Sequence, residues 1–402
     1  MDWILRQARL LDHPTLVDLG IHDGQITAIA PVLQATANQE WDLAGRVVLP
    51  GLVDAHTHLD KSYTPAYNQS GTLLEAIDLW RAYKGRRTKA DVQTTVRRAL
   101  KTAIANGVTA MRSHIDVEAA GDLQTVETIL ELRDEFRAQI TLQLVALGYA
   151  AGFLEQRATM ETALAMGLDF VGGAPALTLD PRAEIDALFA LAEKYGKTVD
   201  LHVDETEDPR MNTLAYVAEK TVAHGLQGQV TAGHCCSLAF FDGVTAGKTM
   251  DQVAAARLNI ITLPSCNLVL MGRTIRPTPR GVTLVKELLA RGVNVCAASD
   301  NVHDPFNPFG NYDLLQIANL NALVAHLSGE AEIGTALAMV TSNPARALGL
   351  SATAVRVGVA ADLVIVDTTT PLHCVTTVPP RLATFQHGRL LVRTTIEQQW
   401  QD

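Results

Sequence analysis

Eight short apolar runs recur between residues 50 and 349, and each is followed by an Ala-, Leu- and Glu-rich stretch of helical character. The first leads through Val47-Val48-Leu49-Pro50-Gly51-Leu52-Val53 into His56; the others cover 109–114, 140–147, 170–173, 198–202, 229–234, 260–263 and 293–300. Strands alternating with helices build a parallel sheet covered by helices. Eight such units in about 300 residues match the size of a (β/α)8 barrel of the TIM type. A doubly wound sheet is the alternative, but no Gly-rich phosphate loop follows the first run.

The barrel reading gives the polar residues at the run ends a common destination. His56 and His58 end the first run, His202 the fifth, His234 the sixth and Asp300 the eighth. In such a barrel, active-site residues come from the C-terminal ends of the strands. His56 and His58 sit at i and i+2, so both imidazoles leave one strand on the same face. A His-x-His pair alone says little, since about 0.4 arise by chance in a chain of this length and His content. Its meaning comes from the other three positions.

The residue types suggest the chemistry. His56, His58, His202 and Asp300 can form a mixed nitrogen and oxygen shell around one divalent metal, with a position left for water. A metal in such a shell lowers the pKa of water towards ~7. Glu205, three residues after His202, is placed to shuttle the proton. His234 is either a further ligand or a hydrogen-bonding partner of the nucleophile, and Asp300 could also accept the water proton. His114 ends the second run but is not needed for the ligand count, so a core histidine is its simpler reading. His303 follows Asp300 in a loop and is read as backing the ligands or facing the substrate. Cys235-Cys236 lacks the Cys-x-x-Cys spacing of a thiolate zinc site, and packing is its assignment.

The two chain ends differ from the middle. Residues 1–49 and 350–402 read as short strands with Gly, Pro and Asp-Gly punctuation. Together they form a small discontinuous β-sandwich domain beside a barrel of 50–349, since chain termini often lie close together. Net charge is −10, no Lys/Arg stripe is visible and aromatics make up 5%, which argues against nucleic acid as a partner. The N-terminus lacks the regions of a signal peptide, and no apolar run reaches 18 residues, so no membrane association is expected. Five cysteines, two of them adjacent, make a poor disulfide framework and point to a reducing, cytoplasmic setting.

At this point the chain resembles the amidohydrolase superfamily, through Pro50–His58, His202-x-x-Glu205, Gly233-His234 and Ser299-Asp300-Asn301. It looks closest to the cytosine deaminase branch, through Asn68–Leu73, Ser113–Val117, Arg280–Thr283 and Asp304–Gly310. The resemblance implies one divalent ion, zinc or iron, on His56, His58, His202 and Asp300, with Glu205 as proton shuttle and His234 beside the nucleophile. It implies a hydrolytic deaminase of a nitrogen heterocycle that releases ammonia through a metal-bound hydroxide. It also implies a homo-oligomer.

Specificity departs from that branch. Its glutamine after the third strand is missing, and Tyr149 lies near that place in the run Val145–Phe153. Asn301 stands where a second aspartate is frequent, and Phe306 where tryptophan is typical. Tyr149, Asn301, His303 and Phe306 are therefore the expected substrate-binding positions, and cytosine itself gives way to a related ring: a substituted cytosine, an isocytosine- or creatinine-like ring, or a triazine. Asp54–Ser62 is similar to a sub-branch that removes alkylamines from triazines, which makes N-alkyl amine release the first alternative. Cyclic amide hydrolysis is the second, disfavoured because no lysine stands in 169–174 to bridge two metals. A non-catalytic scaffold would have shed ligands, and all five candidates are present.

Overall fold

The computed structural model describes the chain apart from residues 66, 152–153, 352–353 and 402. Gly152 and Phe153, the end of the run that holds Tyr149, lie outside the described residues.

The chain opens with β1 (Trp3–Ala8), β2 (Val17–His22), β3 (Gln25–Ala30) and β4 (Gln39–Asp42). They form a sheet of order β3-β2-β1-β4. The β2–β3 turn is the expected Asp23-Gly24, both residues at positive φ (48° and 76°), as a tight hairpin requires. β5 (Val47–Pro50) then leads into the barrel.

All eight expected runs form strands: β6 (Leu52–Thr57), β7 (Val108–Asp116), β8 (Thr141–Leu147), β9 (Phe170–Gly172), β10 (Asp200–Val203), β11 (Thr231–His234), β12 (Asn259–Thr262) and β13 (Asn294–Ala297). β6 to β9 pair in sequence and in parallel, as do β10 to β13. Single bridges Val171↔Val199 and Thr57↔Asp300 join the two halves into a closed ring. Helices pack outside, their apolar stripes merging with the strands in one core that includes Val96, Leu100, Ile129, Leu188, Val217 and Leu314. No helix among the described residues is long and apolar enough to cross a membrane.

After the barrel come β14 (Leu363–Val366), β15 (Arg381–Gln386) and β16 (Arg389–Arg393). They join β5 in an antiparallel sheet of order β16-β15-β14-β5. The short strands expected in 350–402 are thus Leu363–Val366, Arg381–Gln386 and Arg389–Arg393. Residue alternation gives this sheet two apolar faces. Val48, Leu363, Ile365 and Phe385 pack towards β1 and β2, whereas Val47, Leu49, Val364 and Val366 join the barrel core. Trp3 meets Phe385 edge-on at 5.4 Å across the sandwich. Gly107 (φ 92°) lets Val364 approach, since a Cβ there would lie 2.7 Å from Val364 Cγ2.

The floor of the barrel is polar. Arg112 of β7 is buried, donates to Asp200 of β10 at 2.7 Å and to Gln143 of β8 at 3.0 and 2.8 Å, and lies 3.9 Å from the Phe170 ring centre. Removing one partner of a buried pair strands the other charge. We therefore expect Arg112→Met to lower unfolding free energy by roughly 3–5 kcal/mol in denaturant titrations, and an unchanged midpoint would show that Asp200 needs no counter-charge.

Candidate active site

Barrel closure assembles the centre. Asp300 N–H donates to His56 O at 2.9 Å, and Thr57 Oγ1 donates to Asp300 O at 2.8 Å. Asp54 accepts from Ser299 N–H at 3.1 Å and from its hydroxyl, tying the same strand ends. Across the ring, His202 and His234 stand on neighbouring strands, in register His202↔Gly233 and Val203↔His234. Gly233 makes room for a ligand: a Cβ there would lie 3.0 Å from His56 Cε1. Three non-glycine residues at the strand ends, Asp204, His234 and Asp300, hold φ of 51°, 66° and 57°. Left-handed backbone at such residues is strained and gathers at functional sites.

The side chains converge. His58 Nε2 is 3.1 Å from His202 Nε2 and 3.3 Å from Asp300 Oδ1, and His56 Nε2 is 3.6 Å from the same oxygen. Ligand atoms of His56, His58 and His202 lie within 4.8 Å of one another, as do those of His56, His234 and Asp300. Among the described residues, both His56 nitrogens and both Asp300 oxygens are buried without hydrogen-bond partners. Buried polar atoms in this state call for a ligand. Imidazoles with one carboxylate, this closely gathered, are a donor set that fits a zinc or iron ion.

The local electrostatics agree. Burial first, and the surrounding imidazoles and Lys61 second, hold His56, His58 and His202 well below the ordinary histidine range. They are neutral, the form that binds metal. Burial takes His234 down to about 3, so it too is neutral. Burial raises Asp300 to about 7, and burial with the nearby Asp300 charge raises Glu205 well above its usual value. Two buried carboxylates resist ionising together, and a divalent cation on Asp300 would relieve both. Glu205, 14% exposed, sits with Oε1 3.4 Å from His234 Nδ1. The Asn267 amide is 3.0 Å from that same nitrogen. With Asn267 donating, the His234 proton resides on Nε2, which has no partner among the described residues.

A cavity opens over this centre, lined by His58, His202, Glu205 and His234 at its base. Of the expected substrate-binding residues, Tyr149, Asn301 and Phe306 line it. Asn301 donates to Asp304 at 2.6 Å, and burial lifts the Tyr149 phenol to about 12. His303 does not line it: the residue is exposed, at φ 50°, and stacks on Tyr63 with ring centres 5.5 Å apart.

Sequence reasoning missed a charged wall of the same cavity. Lys61 is buried, with Nζ 2.6 Å from Asp116, 3.5 Å from Asp60 and 3.3 Å from His58 Nδ1. Asp116 also accepts from Trp80 Nε1 at 2.6 Å. Burial alone would neutralise this pair. The mutual attraction outweighs it, raising Lys61 and lowering Asp116. Lys61 stands three residues after His58, and its partner Asp116 lies two residues past the expected end of the second run.

A model of the amidohydrolase family matches residues 73–396. The chain is 36% identical over 358 residues to a pterin deaminase of Rhizobium rhizogenes, covering 87% of this chain and 81% of the relative. It is 29% identical to N-isopropylammelide isopropyl amidohydrolase of Pseudomonas sp. strain ADP, over 98% of both chains. Among solved structures, 5-methylcytosine deaminase from Klebsiella pneumoniae, liganded with phosphonocytosine, aligns with a TM-score of 0.94 at 31% identity, over 99% of this chain and 100% of that one.

Replacing Asp300 by Ala removes the one carboxylate of the cluster. Elemental analysis of the purified variant should find bound divalent metal severely depleted, and full retention of metal would refute the eighth-strand ligand.

Proposed function

The chain belongs to the amidohydrolase family, and on that premise we propose that it is a metal-dependent hydrolytic deaminase of a nitrogen heterocycle. The observation that carries this reading is the pairing of Glu205 with His234 beside the His/Asp cluster, at the base of a cavity walled by Ile77, Trp80 and Phe306 together with Lys61 and Asp116. In the proposed roles, His56, His58, His202 and Asp300 hold one zinc or iron ion. That ion would supply the Lewis acidity that makes hydroxide available near neutral pH.

The remaining chemistry belongs to the protein. Hydroxide adds to the amino-bearing ring carbon. Glu205 takes up the proton that water loses and delivers it to the neighbouring ring nitrogen; the tetrahedral hydroxyl then gives its own proton, by way of Asp300, to the amine, so that the carbon–nitrogen bond breaks, the new carbonyl forms and ammonia departs. His234 donates from Nε2 to the oxygen at the tetrahedral carbon. Lys61, cationic beside the base of the cavity, donates to a ring carbonyl, while Trp80, Ile77 and Phe306 cover the ring faces.

The substrate class follows from relatives and cavity together. The similar proteins include a pterin deaminase and a 5-methylcytosine deaminase. Pterin and cytosine rings share an amino group on a carbon next to ring nitrogen, with a ring carbonyl nearby. Tyr149 offers a larger apolar body than a carboxamide and only a hydroxyl for hydrogen bonding. These points support a substituted or fused ring over cytosine itself. The similarity to N-isopropylammelide isopropyl amidohydrolase supports a second reading, release of an alkylamine by the same residues. Five free, buried cysteines support the cytoplasm as its setting.

The test is ammonia and alkylamine release from metal-replete protein. The panel comprises pterin, cytosine, 5-methylcytosine, isocytosine, creatinine, amino-triazines and N-alkyl triazines. Ammonia from an amino-oxo ring is the expected result; alkylamine alone favours the second reading, and silence throughout overturns both. On the best substrate, Glu205→Gln should keep its metal and lose about 10²–10⁴-fold in kcat. Full turnover by that variant would remove Glu205 from proton transfer.

A further inference from the structure

Beneath the four ligands lies a fifth imidazole that the reaction above does not use. His114 is fully buried, and neither of its nitrogens has a hydrogen-bond partner among the described residues. Its ring centre lies 4.1 Å from that of His56 at a 35° tilt, 4.7 Å from that of His202 and 5.6 Å from that of His58. On its other side, Nε2 is 3.5 Å from Asp200 Oδ1. The second Asp200 oxygen accepts from Arg112, which Gln143 and Thr231 hold in turn. One nitrogen of His56, one of His114 and one Asp200 oxygen lie within 4.8 Å of one another.

The placement is a consequence of strand periodicity. Asp200 and His202 are i and i+2 on β10, and Arg112 and His114 are i and i+2 on β7. Each pair points into the barrel, one member a layer below the other. The lower layer is the Arg112–Asp200 ion pair. The upper layer is the imidazole cluster. His114 joins them.

We propose that His114, anchored by the Asp200–Arg112 pair, is a positioning residue that fixes the orientation and tautomer of the ligand His56. The proposal rests on the reading that His56, His58, His202 and Asp300 hold a divalent ion. Asp200 Oδ1, 3.5 Å away and itself without a hydrogen-bond partner among the described residues, is an acceptor only and faces His114 Nε2, which favours the His114 proton on that nitrogen. The His114 ring then packs against His56 and blocks its rotation. The negative Asp200 side favours a proton on His56 Nδ1, leaving the Nε2 lone pair directed at Asp300 and the ion. Groups that orient a ligating histidine in this way contribute about 10–100-fold to metal affinity.

The test compares His114→Phe, which keeps a ring, with His114→Gln, which keeps a donor for Asp200. The readout is zinc affinity of the full chain, by competition with a chromophoric chelator, alongside kcat and KM. We expect His114→Phe to weaken zinc roughly 10–100-fold and His114→Gln to recover most of that loss. Asp200→Asn attacks the anchor from the other side and should weaken zinc likewise, which covers the case of a Phe variant that does not fold. Unchanged zinc affinity in His114→Phe or Asp200→Asn, or equal affinity in the Phe and Gln variants, overturns the proposal. Wild-type protein that binds no divalent metal overturns the metal centre itself, and this inference with it.

Discussion

Everything at the barrel mouth depends on one seam, where the first and last barrel strands meet. The backbone bond from Asp300 to His56, the Thr57 hydroxyl on Asp300 and the Asp54–Ser299 contacts lock residues 54–57 to residues 299–300. That seam brings His56 and His58, early in the chain, against the carboxylate of Asp300 far along it. It also turns Asp300 into the left-handed region at φ 57°, a conformation a free chain end would not keep. The apolar sheet that joins β5 to β14 and β15 presses on the same barrel from outside, through Val364 against Gly107 and the Thr384 hydroxyl on Ile104 O at 2.7 Å.

A second theme is how much charge the barrel buries, and how it is compensated. Arg112 with Asp200, and Lys61 with Asp116, are matched inside the protein. Among the described residues, both Asp300 oxygens and both His56 nitrogens lack a hydrogen-bond partner, and burial raises Asp300 and Glu205 above the usual carboxylate range. Burying unpaired ionisable groups is costly, so the cluster is stable only with a cation or with its carboxylates protonated. The same imbalance raises the proton affinity of Glu205 above that of an ordinary carboxylate, as a shuttle needs. Structure and chemistry thus draw on one electrostatic deficit, which the family's metal dependence answers.

Much of this was legible in the chain. The eight runs are local patterns, and a helix-covered parallel strand leaves a clear apolar signature. His56, His58, His202, His234 and Asp300 could be placed because each ends a run, where barrels put their chemistry. Asp116 and Lys61 were not legible as a pair. Each is unremarkable locally, and only strand pairing between β6 and β7 brings them together. His114 looked like any core histidine, since its role depends on layers supplied by two other strands. His303 followed the ligand closely in sequence, but a positive φ at the residue turns its ring outward onto Tyr63.

The central claim is that one divalent ion, gathered by four side chains from three strands, makes this barrel a deaminase. The direct test is a metal titration of chelator-stripped protein, with ammonia release read on its best substrate. The account predicts no release without metal and a linear return that breaks at one equivalent of zinc or iron per chain. A break at two equivalents, or ammonia release from the stripped protein, would contradict it.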